Sequence, residues 1–165
     1  LKDLKYASLR YFNAAGFDIK GKIFCKEKNP LNLIPLVMEV AIKKRKVIDV
    51  YGNDYNTKDG TGVRDYIHVS DLSIAHLAAL EYIDKAKNNL VLNLGTGTGC
   101  SVLDVINKTK LISNKNIAIN FVDRRLGDPE IVVASSEKAK NTINWNPQFS
   151  DLENIIQTTW NIYDK

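Results

Sequence analysis

Cysteine, histidine and methionine are scarce in this chain: two, two and one among 165 residues. Cys25 and Cys100 are too few and too far apart for a disulfide framework or a thiolate metal cluster. Both are read as free thiols in a reducing compartment, which points to a cytoplasmic location. His76 has no metal-ligand partner one helical turn on, and His68 sits in an apolar run with no Ser or Cys motif beside it. It reads as a hydrogen-bonded packing residue, and metal catalysis has no support. No apolar run can span a bilayer. The longest, Leu31 to Ile42, is broken by Asn32, Pro35 and Glu39, whereas a spanning helix needs about 20 nearly uninterrupted apolar residues. The opening Leu1-Lys-Asp-Leu-Lys-Tyr6 has no signal-peptide core and no initiator methionine. The expectation is a fragment or trimmed chain with no membrane partner. Repeats, low-complexity segments and linkers are also missing, so residues 1–165 read as one unit.

What is present suits a packed domain. Hydrophobic residues make up 44% and charged residues 25%, the usual range for a globular chain. Lys and Arg number 23 against 19 Asp and Glu, a net charge of +4, so a polyanion partner has to be weighed. The cations are mostly scattered among acids. The run Lys43-Lys44-Arg45-Lys46 follows an apolar periodic stretch and reads as a solvated helix end whose charge complements the helix dipole, with a polyanion patch as the lesser alternative. Nucleic acid is not expected as a partner.

Periodicity gives an alternating order of strands and helices. Tyr6 to Phe12 reads as a strand feeding a loop at Asn13, and the lysine-rich stretch to Pro30 as an exposed loop. Leu33 to Lys44 reads as a helix with Pro35 near its start, Val47 to Tyr51 as a strand, and Gly52 to Gly62 as a loop. A helix is expected from Asp71, a buried strand over Leu90 to Leu94, a helix capped by Ser101 and Asp104, and a strand over Ile117 to Val122. Short helices follow Ser136 and Ser150, the latter with Glu153 completing a second capping box. This order predicts an α/β fold with a mainly parallel sheet.

Three loops carry chemistry. Gly95-x-Gly97 between a strand and a helix resembles the start of a dinucleotide fingerprint, with Asp123 as a candidate ribose acid. Cys100 stands where the third glycine belongs, so a tight strand-to-helix turn is the stronger reading. Asp59-Gly-Thr-Gly-Val-Arg-Asp-Tyr-Ile-His68 offers glycines for close backbone approach and Arg64 as a planar fork for phosphate oxygens. Arg124-Arg-Leu-Gly-Asp128 repeats that logic with a carboxylate able to accept from ribose hydroxyls. Two arginine loops suggest a diphosphate, and ordinary surface salt bridges remain an equal alternative.

Leu9-Arg-Tyr-Phe-Asn-Ala-Ala-Gly16, the long motif from Gly52 to Leu72, Asn93-Leu-Gly-Thr-Gly97 with Ser101-Val-Leu-Asp-Val105, and Arg124-Arg-Leu-Gly-Asp-Pro129 resemble the C-terminal half of the UDP-glucose 4-epimerases, in that family's order and over nearly the whole chain. The long middle motif is specific; the glycine loop alone is not. The resemblance implies the C-terminal substrate-binding half of an extended short-chain dehydrogenase, Rossmann-type fold, contributing late strands to the parallel sheet and a small α/β substrate region. One sheet edge and one apolar face would then be left exposed. It implies NAD as cofactor, UDP-glucose and UDP-galactose as substrates, a 4-keto intermediate, and a homodimer for the full-length enzyme. The family's glycine fingerprint and its Tyr-x-x-x-Lys pair do not occur here, since Tyr55 and Tyr82 are each followed by a lysine one position too early. The isolated chain is therefore expected to be inactive, with no catalytic residue of its own.

By the same resemblance Phe12 meets the nicotinamide end of NAD, and Asn13 holds the sugar diphosphate. Asn32 and Leu33 lie beside the sugar nucleotide, and Asp49, Val50 and Tyr51 line the uracil through backbone groups. Arg64 and Arg125 clamp the diphosphate, and Asp128 accepts from the ribose. Val132 falls where a tyrosine would crowd an N-acetyl group, which extends the expected substrates to UDP-N-acetylhexosamines. Two alternatives stay open: another NAD-dependent UDP-sugar epimerase or dehydratase, and a non-catalytic UDP-sugar-binding module.

Overall fold

In a computed structural model, which describes residues 4–165, strand pairing is mostly parallel. The first residues of the opening motif, Leu1 to Asp3, lie outside the described residues. Strand β1 (Ala7–Tyr11) pairs in parallel with the later strand Leu90–Leu94, Ala7 opposite Leu90 and Tyr11 opposite Leu94. Parallel neighbours need a long crossover, and the one between them contains a helix, Val69–Ala86.

The strand expected over Tyr6 to Phe12 is β1, and the loop expected after it opens with a second strand. The chain bends at Phe12, and β2 (Asn13–Ala15) joins a different partner, Tyr66–His68. Three residues are too few to show a period, so the sequence reads this segment as loop. Helix α1 (Leu33–Ala41) ends earlier than expected. Lys43 turns into the left-handed region, and the N–H groups of Lys44 and Arg45 return to the Glu39 carbonyl at 2.9 and 3.0 Å. The basic run therefore does not extend the helix into solvent. Lys44 and Arg45 instead close on the Glu39 carboxylate at 2.5 and 3.4 Å, and this pairing, led by the Lys44 hydrogen bond, holds that buried acid below its usual range.

Strand β3 (Ile48–Tyr51) pairs in parallel with Ile119–Val122. Two further short strands, β4 (Val63–Arg64) and β5 (Tyr66–His68), flank Asp65. Helix α2 (Val69–Ala86) begins before Asp71 because His68 is its cap: imidazole Nδ1 accepts from the Ser70 N–H at 3.0 Å. Asp71 is fully buried and ties down the tail, accepting from the Gln148 and Phe149 N–H groups at 2.8 Å each and from Ser150 Oγ at 2.6 Å.

Beyond β6 (Leu90–Leu94), β7 (Cys100–Ser101) leads into α3 (Val102–Ser113), whose expected capping box is present: Ser101 Oγ accepts from Asp104 N–H at 2.9 Å while Asp104 accepts from Ser101 N–H at 3.0 Å. After β8 (Ile119–Val122), β9 (Ile131–Val132) pairs in parallel with β4, whose other edge takes β7. Helix α4 (Glu137–Ile143) follows Ser136 without a side-chain cap bond. The cap of α5 (Leu152–Tyr163) is Asp151, which accepts from Asn154 N–H at 2.8 Å, and not Ser150 with Glu153. Ser150 is already held by Asp71, and Glu153 reaches Lys108 at 3.2 Å.

Two cores result. One packs α1, α3 and α5 over β3 through Val37, Met38, Val105, Ile106, Ile155 and Ile156, all essentially inaccessible. The other packs α2 and α4 against β6 through Leu72, Ala75, Ala79, Leu92 and Trp145. Each fully buried large aliphatic side chain contributes about 1.5–3 kcal/mol. Trp145 satisfies its indole N–H on the Asp71 carbonyl at 3.0 Å. Among the described residues β1 pairs on one edge only, and Ile74, Leu77 and Leu80 of α2 are exposed. No helix among these residues is long and apolar enough to cross a membrane.

Candidate functional site

The site is built around the break between β4 and β5. Asp65 is 1% exposed, a placement a carboxylate tolerates only when its oxygens are satisfied. It accepts from Thr96 N–H at 3.0 Å, Thr96 Oγ1 at 2.8 Å, Gly97 N–H at 3.2 Å and Ala134 N–H at 3.1 Å. The glycine turn that resembles a dinucleotide cradle thus already holds an anion, the chain's own. A Cβ on Gly95 would stand 2.6 Å from both the Asp65 carboxylate and the Ala134 methyl, which is why glycine is needed there.

With its side chain anchored, Asp65 sends its neighbours the other way. Its carbonyl accepts from Asn13 Nδ2 at 3.0 Å. Arg64 donates from Nη1 to the Val63 carbonyl at 2.8 Å and ion-pairs through Nη2 with Asp128. Upstream, Asp59 accepts from Thr61 N–H at 2.9 Å and Thr61 Oγ1 at 2.7 Å, and from Ser101 Oγ. Burial opposes its charge, but the Ser101 and Thr61 hydroxyls outweigh it and hold the carboxyl below its usual range. Gly60 has φ +79°, and a Cβ there would lie 2.2 Å from the Asn53 carbonyl oxygen. The loop closes only with glycine at that position.

The two adjacent arginines have different surroundings. Arg124 stacks 4.0 Å from the Tyr55 ring centre and bonds Asp54 at 2.6 Å, so it belongs to the loop. Arg125 lies 3.7 Å over the Tyr51 ring and lines a cavity of about 320 Å³. Asn13, Asn32 and Leu33 enter that cavity from β2 and the start of α1; Asp49, Val50 and Tyr51 enter from β3; Arg64 and Asp128 complete it with Arg125. Asp49 gives its carboxylate to Asn120 Nδ2 at 2.8 Å.

Phe12 lines a second cavity of about 390 Å³, which shares Asn13, Asn32, Leu33 and Tyr66 with the first. Val132 lines neither; it stands in register with Arg64 on β9. Sequence reasoning missed Arg45 and Tyr66, which also line the first cavity. The signal for Arg45 is Glu39, an acid on an apolar helix face a few residues upstream. Tyr66 lies inside the long motif, where nothing local distinguishes it from its neighbours; burial pushes its phenol well above the ordinary range.

A family model described as GDP-mannose 4,6 dehydratase matches residues 2–159. A UDP-glucose 4-epimerase of Lacticaseibacillus casei is 40% identical over 161 residues, 98% of this chain and 49% of that protein. Among solved structures, UDP-glucose 4-epimerase from Brucella ovis in complex with NAD superposes with a TM-score of 0.93 at 39% identity, covering 97% of this chain and 49% of that one. The Bifidobacterium longum UDP-glucose 4-epimerase in complex with NAD+ and UDP gives 0.89 at 37% identity, covering 98% and 48%. The chain spans about half the length of the relatives it matches.

Proposed function

The chain belongs to the GDP-mannose 4,6 dehydratase family, and from that premise we propose that it is the UDP-sugar-binding half of a UDP-hexose 4-epimerase interconverting UDP-glucose and UDP-galactose. The observation that carries this reading is the placement of Arg64, Arg125 and Asp128 around one cavity with the β3 backbone. Two guanidinium groups match two phosphates, since each fork can bond two oxygens. A carboxylate beside them suits a ribose diol. Asp49, its side chain tied to Asn120, is left with backbone groups to offer a base, and Tyr51 gives its ring to Arg125. The epimerase names and the bound UDP of the relatives support the same assignment.

An uneven grip is what epimerisation asks of this half. The nucleoside diphosphate is held by charge-assisted bonds while the hexose stays free to present either face of C4. The second cavity, with the Phe12 ring exposed at 45% beside Asn13, fits the flat nicotinamide end of NAD, which when bound supplies a hydride acceptor and donor for that carbon. Phe12 packs there and Asn13, held by the Asp65 carbonyl, orients the diphosphate from between the two cavities. The proton-accepting tyrosine and its lysine are not among these 165 residues. Val132 lines neither cavity and pairs with Arg64 on β9; the family resemblance alone carries the extension of the substrates to UDP-N-acetylhexosamines.

Two assays test the reading. The purified chain should bind UDP by calorimetry and leave UDP-galactose unchanged with NAD supplied. Absence of UDP binding would remove the reading, and measurable conversion by a sample free of other epimerases would overturn the division of labour. In the full-length enzyme, normal turnover of UDP-galactose with none of UDP-N-acetylglucosamine would reject the extension to UDP-N-acetylhexosamines.

A further inference from the structure

Arg124 and Arg125 leave the end of β8 side by side and go to different rings. A bond from Gly52 N–H to the Val122 carbonyl at 2.8 Å holds the end of β3 against the end of β8. Arg125 lies over Tyr51 and lines the first cavity, while Arg124 stacks on Tyr55 and lines neither cavity of the site. Tyr55 is 5% exposed. Gly52, at φ +80°, makes room for that stack: a Cβ there would lie 2.6 Å from the Tyr55 ring and 2.8 Å from Arg124 Cγ.

Arg124 fixes one end of the turn that carries Arg125 and Asp128. Its Nε donates to the Asp54 carboxylate at 2.6 Å, Nη2 donates to the Asp54 carbonyl, and Nη1 lies 3.7 Å from the Glu130 carboxylate. Glu130 fixes the other end. Its carboxylate accepts from Asn56 N–H at 3.3 Å and its carbonyl from Val63 N–H at 2.8 Å. Both ends are thus tied to residues 54–63, and the turn between them is open to solvent: Leu126 is fully exposed, and a Cβ on Gly127 would meet nothing within 4 Å. A lone exposed ion pair contributes little. Here a ring stack and bonds to two acids converge on one planar group, an arrangement that a flexible ammonium does not reproduce.

A turn clamped at both ends presents Arg125 and Asp128 already in place. An unclamped one must be ordered as ligand binds, and that ordering weakens affinity. We propose that Arg124 is a positioning residue for nucleotide binding: it does not touch the ligand, and it sets Arg125 and Asp128 by clamping their turn to the Tyr55 loop. This rests on the reading of the cavity as a UDP site.

Calorimetric UDP titrations of the unmodified chain, Arg124→Ala, Arg124→Lys, Arg125→Ala and the Arg124→Ala/Arg125→Ala double variant test it, with each fold checked by circular dichroism. Arg124→Ala should bind UDP about tenfold more weakly, the scale of ordering two long side chains on binding. Arg124→Lys keeps the charge and loses the plane, so it too should bind more than about threefold more weakly. Affinity within about threefold of the unmodified chain in Arg124→Lys would show that charge alone matters and would overturn the clamp; this variant decides if the alanine one does not fold. A residue that acts through Arg125 has less to lose once Arg125 is gone. The double variant should therefore bind UDP more tightly than the product of the two single losses allows, and losses that simply multiply would overturn the proposal. If UDP binds and these contrasts fail, the clamp alone is wrong. If UDP does not bind the unmodified chain, the UDP site itself is wrong and the proposal falls with it.

Discussion

Replacing Asp65 with alanine probes the joint on which the site depends. The carboxylate takes four donors, the N–H groups of Thr96, Gly97 and Ala134 and the Thr96 hydroxyl. The losses are unequal. The Thr96 hydroxyl can give its one proton to the Thr98 carbonyl at 2.7 Å instead, and the N–H groups of the turn at Thr96 and Gly97 can turn to water. Ala134 is 3% exposed, so its N–H is stranded, at about 1–3 kcal/mol. Adding two charge-assisted bonds exchanged for water, at about 1 kcal/mol each, gives roughly 3–5 kcal/mol, the range for removing one partner of a buried pair. Against a stability of about 5–15 kcal/mol for a domain this is a large share. Equilibrium unfolding in urea reads it directly: with a slope near ~2 kcal/mol/M, the midpoint should fall by about 2 M at unchanged slope. A fall below about 0.5 M at the same slope would mean that Asp65 does not hold the glycine turn in solution. Asp65→Asn, which keeps one acceptor oxygen, should fall between.

Three further outcomes follow from other parts of the fold. His68 is fully buried, with Nε2 3.1 Å from Thr158 Oγ1, and burial lowers its pKa below 6.5 even with Asp71, Asp151 and Asp18 nearby. The unfolded chain therefore takes up the proton first, so this stabilisation is complete above the unfolded value and is lost as pH falls through the lower folded one. Urea midpoints should drop from about pH 7.5 to about pH 5 less steeply in His68→Gln than in the unmodified chain, and parallel curves would contradict this. Arg125→Ala should weaken UDP binding by about 1.5–3 kcal/mol, and unchanged calorimetric affinity would place the diphosphate elsewhere. Ser101→Ala removes the α3 cap and a hydroxyl from Asp59 and should cost about 1–2 kcal/mol in thermal or urea unfolding; a change within about 0.5 kcal/mol would show the cap to be dispensable.

Residues with a strong local period were legible. Leu90–Leu94 reads as a strand and Leu72, Ala75 and Ala79 as a helix face because burial repeats at the spacing of the backbone. Strands of two or three residues, such as Asn13–Ala15, Val63–Arg64 and Ile131–Val132, are set by partners distant in sequence and leave no period. Asp65 shows the same limit for the site. Its partners lie 31, 32 and 69 residues away, so the acid in Val63–His68 looked like part of a ligand loop when its carboxylate belongs to the turn at Gly95. His68 and Asp151 as helix caps were missed because Asp71 and Ser150 are better local cap signals, yet tertiary bonds between those two engage both. Arg124 and Arg125 are neighbours of one type, and only the positions of Tyr55 and Tyr51 separate their surroundings.

Chemical-shift mapping of the nitrogen-15-labelled chain during a UDP titration tests the central claim most directly. The account predicts saturable shifts clustered at Asn13, Asp49 to Tyr51, Arg64, Arg125 and Asp128, the residues that share one cavity, with the Gly95–Gly97 turn little changed because Asp65 already fills it. Saturable shifts centred on Gly95–Gly97, or no shifts at the two cavity arginines, would contradict it.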